Sequence, residues 1–399
     1  MGPGVVGYLI VIGAAFAVSF VSMPFLRALS LRVGAVVAPD ARRVHKQPTP
    51  ILGGAGILAG VLVGLLAAWL SGEFTAVFRT IAPPLGVAIA AFTIWAVGQI
   101  DDLRELSPPA KMAGIVLAGS ILSIAGVTII FFRVPFFGLF ALSPDLSALI
   151  TVVWVAGMVN AINLIDGLDG LAAGIVAIAS GTFFLYGQQL LDQEPPLLDA
   201  ANIGPLIAVV VLGMCVGFLP HNFNPARIFM GDAGAMFLGL LLATTTITVG
   251  GRTADQFSGQ TYFFFAPLFI PIVILGVPLI DTAFSFLRRV YRRTSFAVAD
   301  KDHLHHRLMR LGHGPRRSVV ILWLWTALLS GLVLFPTYTN RGNAVVPLGI
   351  AALGLLLYVY FHPGVRSARE PEPEDVPVSE PEAPPQVVSL EEHRRAADR

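Results

Sequence analysis

Apolar runs, most of them close to twenty residues long, recur along this chain and are broken by short polar segments. A helix needs about 20 apolar residues to cross a bilayer, and backbone groups in lipid must bond within their own segment. The pattern therefore predicts an all-α integral membrane protein of about eleven transmembrane helices. They fall near 5–27, 51–71, 82–99, 112–132, 147–165, 170–187, 203–219, 233–250, 264–286, 319–336 and 345–362. The fifth and sixth are nearly continuous, so their division is the least marked. The first run has no basic residue before it and no small-residue cleavage site, and Arg27, Arg32, Arg42 and Arg43 follow it. It reads as an uncleaved helix rather than a signal peptide.

Loop charge then gives sidedness. The segment 28–50 carries Arg32, Arg42, Arg43 and Lys46, and the segment 287–318 carries nine further basic residues from Arg288 to Arg317. Loop 188–202 has Asp192, Glu194 and Asp199 and no Lys or Arg. Positive loops stay inside, which puts the N-terminus outside and the C-terminus in the cytoplasm. From about Arg366 the chain turns Pro- and Glu-rich, a composition that cannot build a core. The expected domains are a transmembrane unit over 1–365 and a disordered cytoplasmic tail over 366–399.

Composition agrees: 55% of residues are hydrophobic and 13% charged, against about 25% charged in soluble domains. Mean hydropathy is +0.76. A net charge of +1 offers no field for nucleic acid. Cys215, the one cysteine, lies in an apolar run and reads as packing, since it has no partner for a disulfide or a zinc site.

The informative residues are polar islands in this background: Asp101-Asp102, Asn160 to Gly170, Asn222 to Asp232, and Asp300 to His306. With the spans above, all fall at cytoplasmic ends, as does the basic segment 42–50. Each has a bland reading. Asp101-Asp102 suits a solvated loop, Asp166 and Asp169 suit helix caps, Asp232 suits the cap of a helix starting at Ala233, and the histidines suit an amphipathic surface. Their common sidedness favours a shared site, because carboxylates and histidines near lipid are costly unless paired, hydrated or cation-bound. Carboxylates without thiolates favour a hard cation such as Mg²⁺, held by one or two carboxylates plus substrate phosphates and water. Histidine, lysine and arginine alongside suit anionic phosphates. The combination points to metal-assisted phosphoryl transfer at a membrane surface.

In these motifs the chain resembles the polyprenyl-phosphate N-acetylhexosamine-1-phosphate transferase family. The matching stretches are His45 to Gly54, Gly98 to Asp102, Asn163 to Ala172, Asn222 to Gly234, Pro278 to Thr282 and His303 to His306, within about residues 40–315. The resemblance implies transfer of a sugar-1-phosphate from a UDP-sugar to a lipid phosphate, with release of UMP. It implies that one of Asp101 and Asp102 is the base and the other lies near the metal, with Asp102 and Asp232 as the Mg²⁺ (or Mn²⁺) ligands. Asn222 then supplies a site amide, Asn163, Asp166 and Asp169 border the nucleotide, and Phe229 meets uracil. His45, Lys46, His303, His305, His306 and Arg307 serve substrate phosphate and sugar.

The muramoyl-pentapeptide branch has three consecutive histidines followed by Phe-Glu. Here His303-Leu-His-His306 is followed by Arg307, which looks like the UDP-N-acetylglucosamine branch. The acceptor implied is undecaprenyl or decaprenyl phosphate, in the cytoplasmic (inner) membrane of a bacterium, at the first membrane step of a cell-envelope polysaccharide. A homodimer stays open. The alternatives are the muramoyl-pentapeptide transferase and, in another class, a membrane transporter.

Overall fold

The computed structural model describes residues 3–37, 48–134, 138–250, 308–309, 311–339 and 345–361. Helices dominate. In chain order they are α1 Val5–Val33, α2 Gly53–Ser71, the short α3 Thr75–Phe78, α4 Ala82–Arg104, α5 Pro108–Ile124, α6 Pro144–Ile165, α7 Leu171–Leu191, α8 Gly204–Asn222, α9 Gly231–Gly250, α10 Gly314–Thr339 and α11 Val345–Phe361. Eight are long and apolar enough to cross a membrane, and α5 and α11 are shorter apolar helices. The protein is therefore a multi-pass integral membrane protein. The ninth predicted span, 264–286, and the tail lie outside the described residues.

Several boundaries differ from the sequence reading, each for a local reason. Helix α1 runs on past residue 27 and ends only where Gly34 turns left-handed (φ 72°). Helix α4 continues through Arg104, so Asp101 and Asp102 stand on its last turn rather than in a loop. The fourth span, expected to reach 132, stops at Ile124. A β-branched run follows, Val127-Thr-Ile-Ile130, which favours extended backbone, and leads into an antiparallel hairpin of β3 Phe131–Val134 and β4 Gly138–Ala141. A second small hairpin, β1 Val36–Val37 with β2 Thr49–Pro50, brackets the basic segment 38–47. The least marked division is genuine, because α6 ends at Ile165 and α7 starts only after Gly170, which turns left-handed (φ 78°).

Helix α9 is the axis of the bundle. Every residue from Ala233 to Gly250 is buried, and α2, α4, α6, α7 and α8 pack around it. Its threonines do not leave polar groups stranded: Thr244, Thr245 and Thr248 donate to the carbonyls of Leu240, Leu241 and Thr244, one turn back. Thr246 in turn accepts a 2.8 Å bond from the Trp154 indole of α6. Outer helices turn apolar side chains such as Leu9, Phe25, Leu66, Phe92 and Leu149 outward, as a lipid-facing surface requires.

Three of the polar islands, Asp101-Asp102, Asn160 to Gly170 and Asn222 to Asp232, gather at one end, and the fourth, Asp300 to His306, lies outside the described residues. The last turns of α4, α6 and α8 meet the first turns of α2, α5, α7, α9 and α10 there, as the bonds described below show. At the opposite end the Gly4 amide donates to Glu73, and Asn202 donates to the Thr248 carbonyl.

Candidate functional site

The site starts with the junction of α4 and α9. Asp102 turns its carboxylate onto the first turn of α9: Oδ1 accepts from the Asp232 amide at 2.8 Å and Oδ2 from the Ala233 amide at 3.0 Å. A helix N-terminus leaves such amides unpaired and carries partial positive charge, so a carboxylate delivered from another helix caps it. Two glycines permit the approach. Gly231 adopts φ 68°, and a Cβ there would lie 2.9 Å from the Asp102 Cγ; a Cβ at Gly98 would lie 2.6 Å from the Ala233 nitrogen. Asp232 is thus not the cap of α9. Its own amide is capped, and its side chain is left for other partners.

That partner is a residue the sequence reading passed over. The Lys111 Nζ lies 2.6 Å from Asp101 Oδ2 and 2.6 Å from Asp232 Oδ2. Asn163, its amide oriented as its neighbours require, donates to Asp232 Oδ1 at 2.9 Å and accepts from Lys111 at 3.2 Å. The turn between α4 and α5 makes this reach possible. Glu105 enters the left-handed region (φ 48°) and ends α4. Asp101 Oδ1 accepts from the Leu106 amide at 2.7 Å, and Ser107 with Pro108 and Pro109 starts α5. A lone lysine beside a span usually reads as an interfacial anchor. The one signal for it was scarcity, since the chain has three lysines among 26 basic residues.

Behind this cluster lie two stitched loops. Asn222 is buried; its Oδ1 accepts from the Gly170 amide and its Nδ2 donates to the Ile228 carbonyl, both at 3.0 Å. It ties the loop before α7 to the loop before α9. Asp169 Oδ2 accepts from the Asn224 side chain and the Ala226 amide, each at 2.9 Å. From α10, Arg316 donates to the Asn224 carbonyl at 2.8 Å. Phe229 has a half-buried side chain, and its backbone bonds Pro50 and Gly53, which fastens α2 to the same end.

Asp166 follows α6 directly. Part of its surface stays accessible, yet dense protein surrounds its carboxyl. Burial first, and then the charges of Asp232, Asp102 and Asp169, push its pKa up to about 8. The structure therefore brings Asp101, Asp102, Asn163, Asp166, Asp169, Asn222 and Asp232 to one end of the bundle. His45, Lys46, His303, His305, His306 and Arg307 lie outside the described residues.

Among the described residues no three acidic, histidine or cysteine side chains converge as a ready-made metal cage. The donor set still fits Mg²⁺. It is all oxygen, with carboxylates outnumbering the one ammonium, and Mg²⁺ takes few protein ligands and completes its shell from substrate and water. Asp232 and the Asn163 amide oxygen already hold a cation, the Lys111 ammonium.

The model of the family described as glycosyl transferase family 4 matches residues 84–250, from α4 through α9. Over 368 residues, 90% of this chain and 89% of the relative, the chain is 33% identical to the decaprenyl-phosphate N-acetylglucosaminephosphotransferase of Mycolicibacterium smegmatis. Its identity to the protein of the same name from Mycobacterium tuberculosis is 36% over 345 residues, 84% of each chain. A more distant relative is the phospho-N-acetylmuramoyl-pentapeptide-transferase of M. smegmatis, 30% identical over 360 residues, 81% of this chain and 95% of that protein. The matched segment contains the whole acidic cluster, and with relatives this similar over most of their length the chain belongs to glycosyl transferase family 4.

Proposed function

We propose that this protein transfers N-acetylglucosamine-1-phosphate from UDP-N-acetylglucosamine to a polyprenyl phosphate, undecaprenyl or decaprenyl, giving polyprenyl-diphosphate-N-acetylglucosamine and UMP. The observation that carries this reading is the Asp101–Lys111–Asp232–Asn163 cluster at one end of a membrane bundle. The cluster is part-exposed there, where phosphates delivered by a lipid and by a nucleotide would meet it. The names of the nearer relatives favour this donor over the muramoyl-pentapeptide. A transporter would place its polar site near the midplane, whereas this one lies at a bundle end.

The reaction joins two anions, so charge and position dominate. An acceptor phosphate oxygen attacks the donor's β-phosphorus, the bond from that phosphorus to the bridging oxygen breaks, and UMP leaves with the electron pair. Asp232 with the Asn163 amide oxygen would hold Mg²⁺; this departs from the expected Asp232–Asp102 pair, because both Asp102 oxygens accept from α9 amides and fix the backbone of Asp232 from behind. When bound, Mg²⁺ supplies charge neutralisation at the pyrophosphate. Asp101 orients the acceptor and takes up its remaining proton. That proton is already acidic, with a pKa near ~6, and both Asp101 oxygens are engaged by Lys111 and Leu106. Its help as a base is therefore modest. Lys111, with Lys46 and the histidines of 303–306, offsets phosphate charge.

Sidedness belongs to the same proposal. Arg32, Arg104, Lys111, Arg227, Arg316 and Arg317 stand at the site end, against Arg79 and Arg133 at the other. This bias supports a cytoplasmic site and an outside N-terminus. The test is donor choice in purified protein. UDP-N-acetylglucosamine should be consumed only when polyprenyl phosphate is present, and UDP-muramoyl-pentapeptide should be left intact. Turnover of the pentapeptide donor would assign the protein to the other branch, and consumption of neither would favour the transporter.

A further inference from the structure

The Lys111 ammonium occupies oxygens that a hard cation would also use. It sits 2.6 Å from Asp232 Oδ2 and 3.2 Å from the Asn163 amide oxygen, while Asp232 Oδ1 is held by the Asn163 nitrogen at 2.9 Å. We propose that Lys111 and the divalent cation compete for these oxygens, so that the cation enters as Lys111 releases Asp232 and keeps Asp101. The proposal rests on the reading of Asp232 as the cation's holder.

Three features carry it. First, Mg²⁺ requires oxygen contacts of about 2.0–2.1 Å, and a second positive centre on the same Asp232 oxygen would be strongly repelled at such range. Second, the exchange needs only a side-chain movement. Lysine is a compact point charge on a flexible stem, and Asp101 Oδ2 offers it a second carboxylate at 2.6 Å. The backbone of Asp232 is meanwhile fixed by Asp102 at 2.8 Å. Third, the residue type suits the task. The chain has only three lysines among 26 basic residues, and one of them stands here. An arginine would offer a broad fork of donors instead of a metal-like point charge.

Mn²⁺ binding to the full-length protein without substrates, followed by electron paramagnetic resonance, tests the competition. Removing the competitor in Lys111→Met should tighten Mn²⁺ binding on the order of tenfold. Asp232→Asn should weaken it. If Asp232→Asn binds Mn²⁺ as the unaltered protein does, the reading of Asp232 fails and the proposal with it. If Asp232→Asn weakens binding while Lys111→Met leaves it equal or weaker, the competition alone is overturned. The unaltered protein gives a second readout that needs no variant. Acylation of Lys111 by an amine-reactive ester, followed by mass spectrometry, should become several-fold faster as Mn²⁺ is added. Equal or slower acylation contradicts release of the ammonium.

Discussion

At the residue scale, roles separate by what each side chain touches. Asp232→Asn should lower UMP formation by on the order of 10³-fold, since it removes a cation ligand. Asp101→Asn should cost only about 10²-fold. A steady-state UMP assay ranks the two, and the reverse order would make Asp101 the dominant group. Asp166 gives a pH prediction. Its pKa, pushed up to about 8, means the folded protein holds this proton more tightly than the unfolded chain does. Its contribution to stability therefore falls as pH rises from the ordinary carboxylate range through about 8. The unfolding midpoint in detergent should drop across that window, recover on adding Mg²⁺, and stay flatter in Asp166→Asn. The acids were legible in the sequence because carboxylates stand out against apolar runs. Lys111 was not, because nothing local distinguishes a cluster lysine from an interfacial one. The work of Asn222 was only half legible: its place in a site motif was, but its double hydrogen bond links segments about fifty residues apart.

At the element scale, the α4–α9 contact positions the chemistry. A methyl group at Gly98 would meet the backbone of Asp232 and Ala233, and overpacking of this kind costs about 1–3 kcal/mol. Gly98→Ala should lower both the unfolding midpoint and the turnover rate, whereas Gly349→Ala, in α11 with nothing within 4 Å of its Cβ, should change neither. Equal behaviour of the two variants would mean the helices have slack at this junction. Within the described residues, span positions were legible from hydropathy alone. Helix ends were less so, because they depend on Gly34, Glu105 and Gly170 adopting left-handed backbone, and the β3–β4 hairpin replaced helix where branched residues follow Gly126.

At the scale of the whole molecule, the bundle brings the α4–α5, α6–α7 and α8–α9 junctions and the starts of α2 and α10 to one surface. Sequence reading reached the three junctions through loop charge and span parity, which are properties of the entire chain. It could not give the distances, because those come from close backbone contact between helices. If the site end is cytoplasmic, single cysteines at Arg104 and Arg227 should resist an impermeant thiol reagent applied outside intact cells, and one at Glu73 should react. The opposite pattern would invert the topology.

The central claim is transfer of a sugar together with its phosphate, and the identity of the nucleotide released tests it most directly. Purified protein should be incubated with Mg²⁺, UDP-N-acetylglucosamine and decaprenyl phosphate, and nucleotide and lipid analysed by mass. The account predicts UMP in equal amount to a lipid diphosphate carrying N-acetylglucosamine, with neither formed when the lipid is omitted. Release of UDP with a lipid monophosphate sugar, or no lipid product from folded protein, would contradict it.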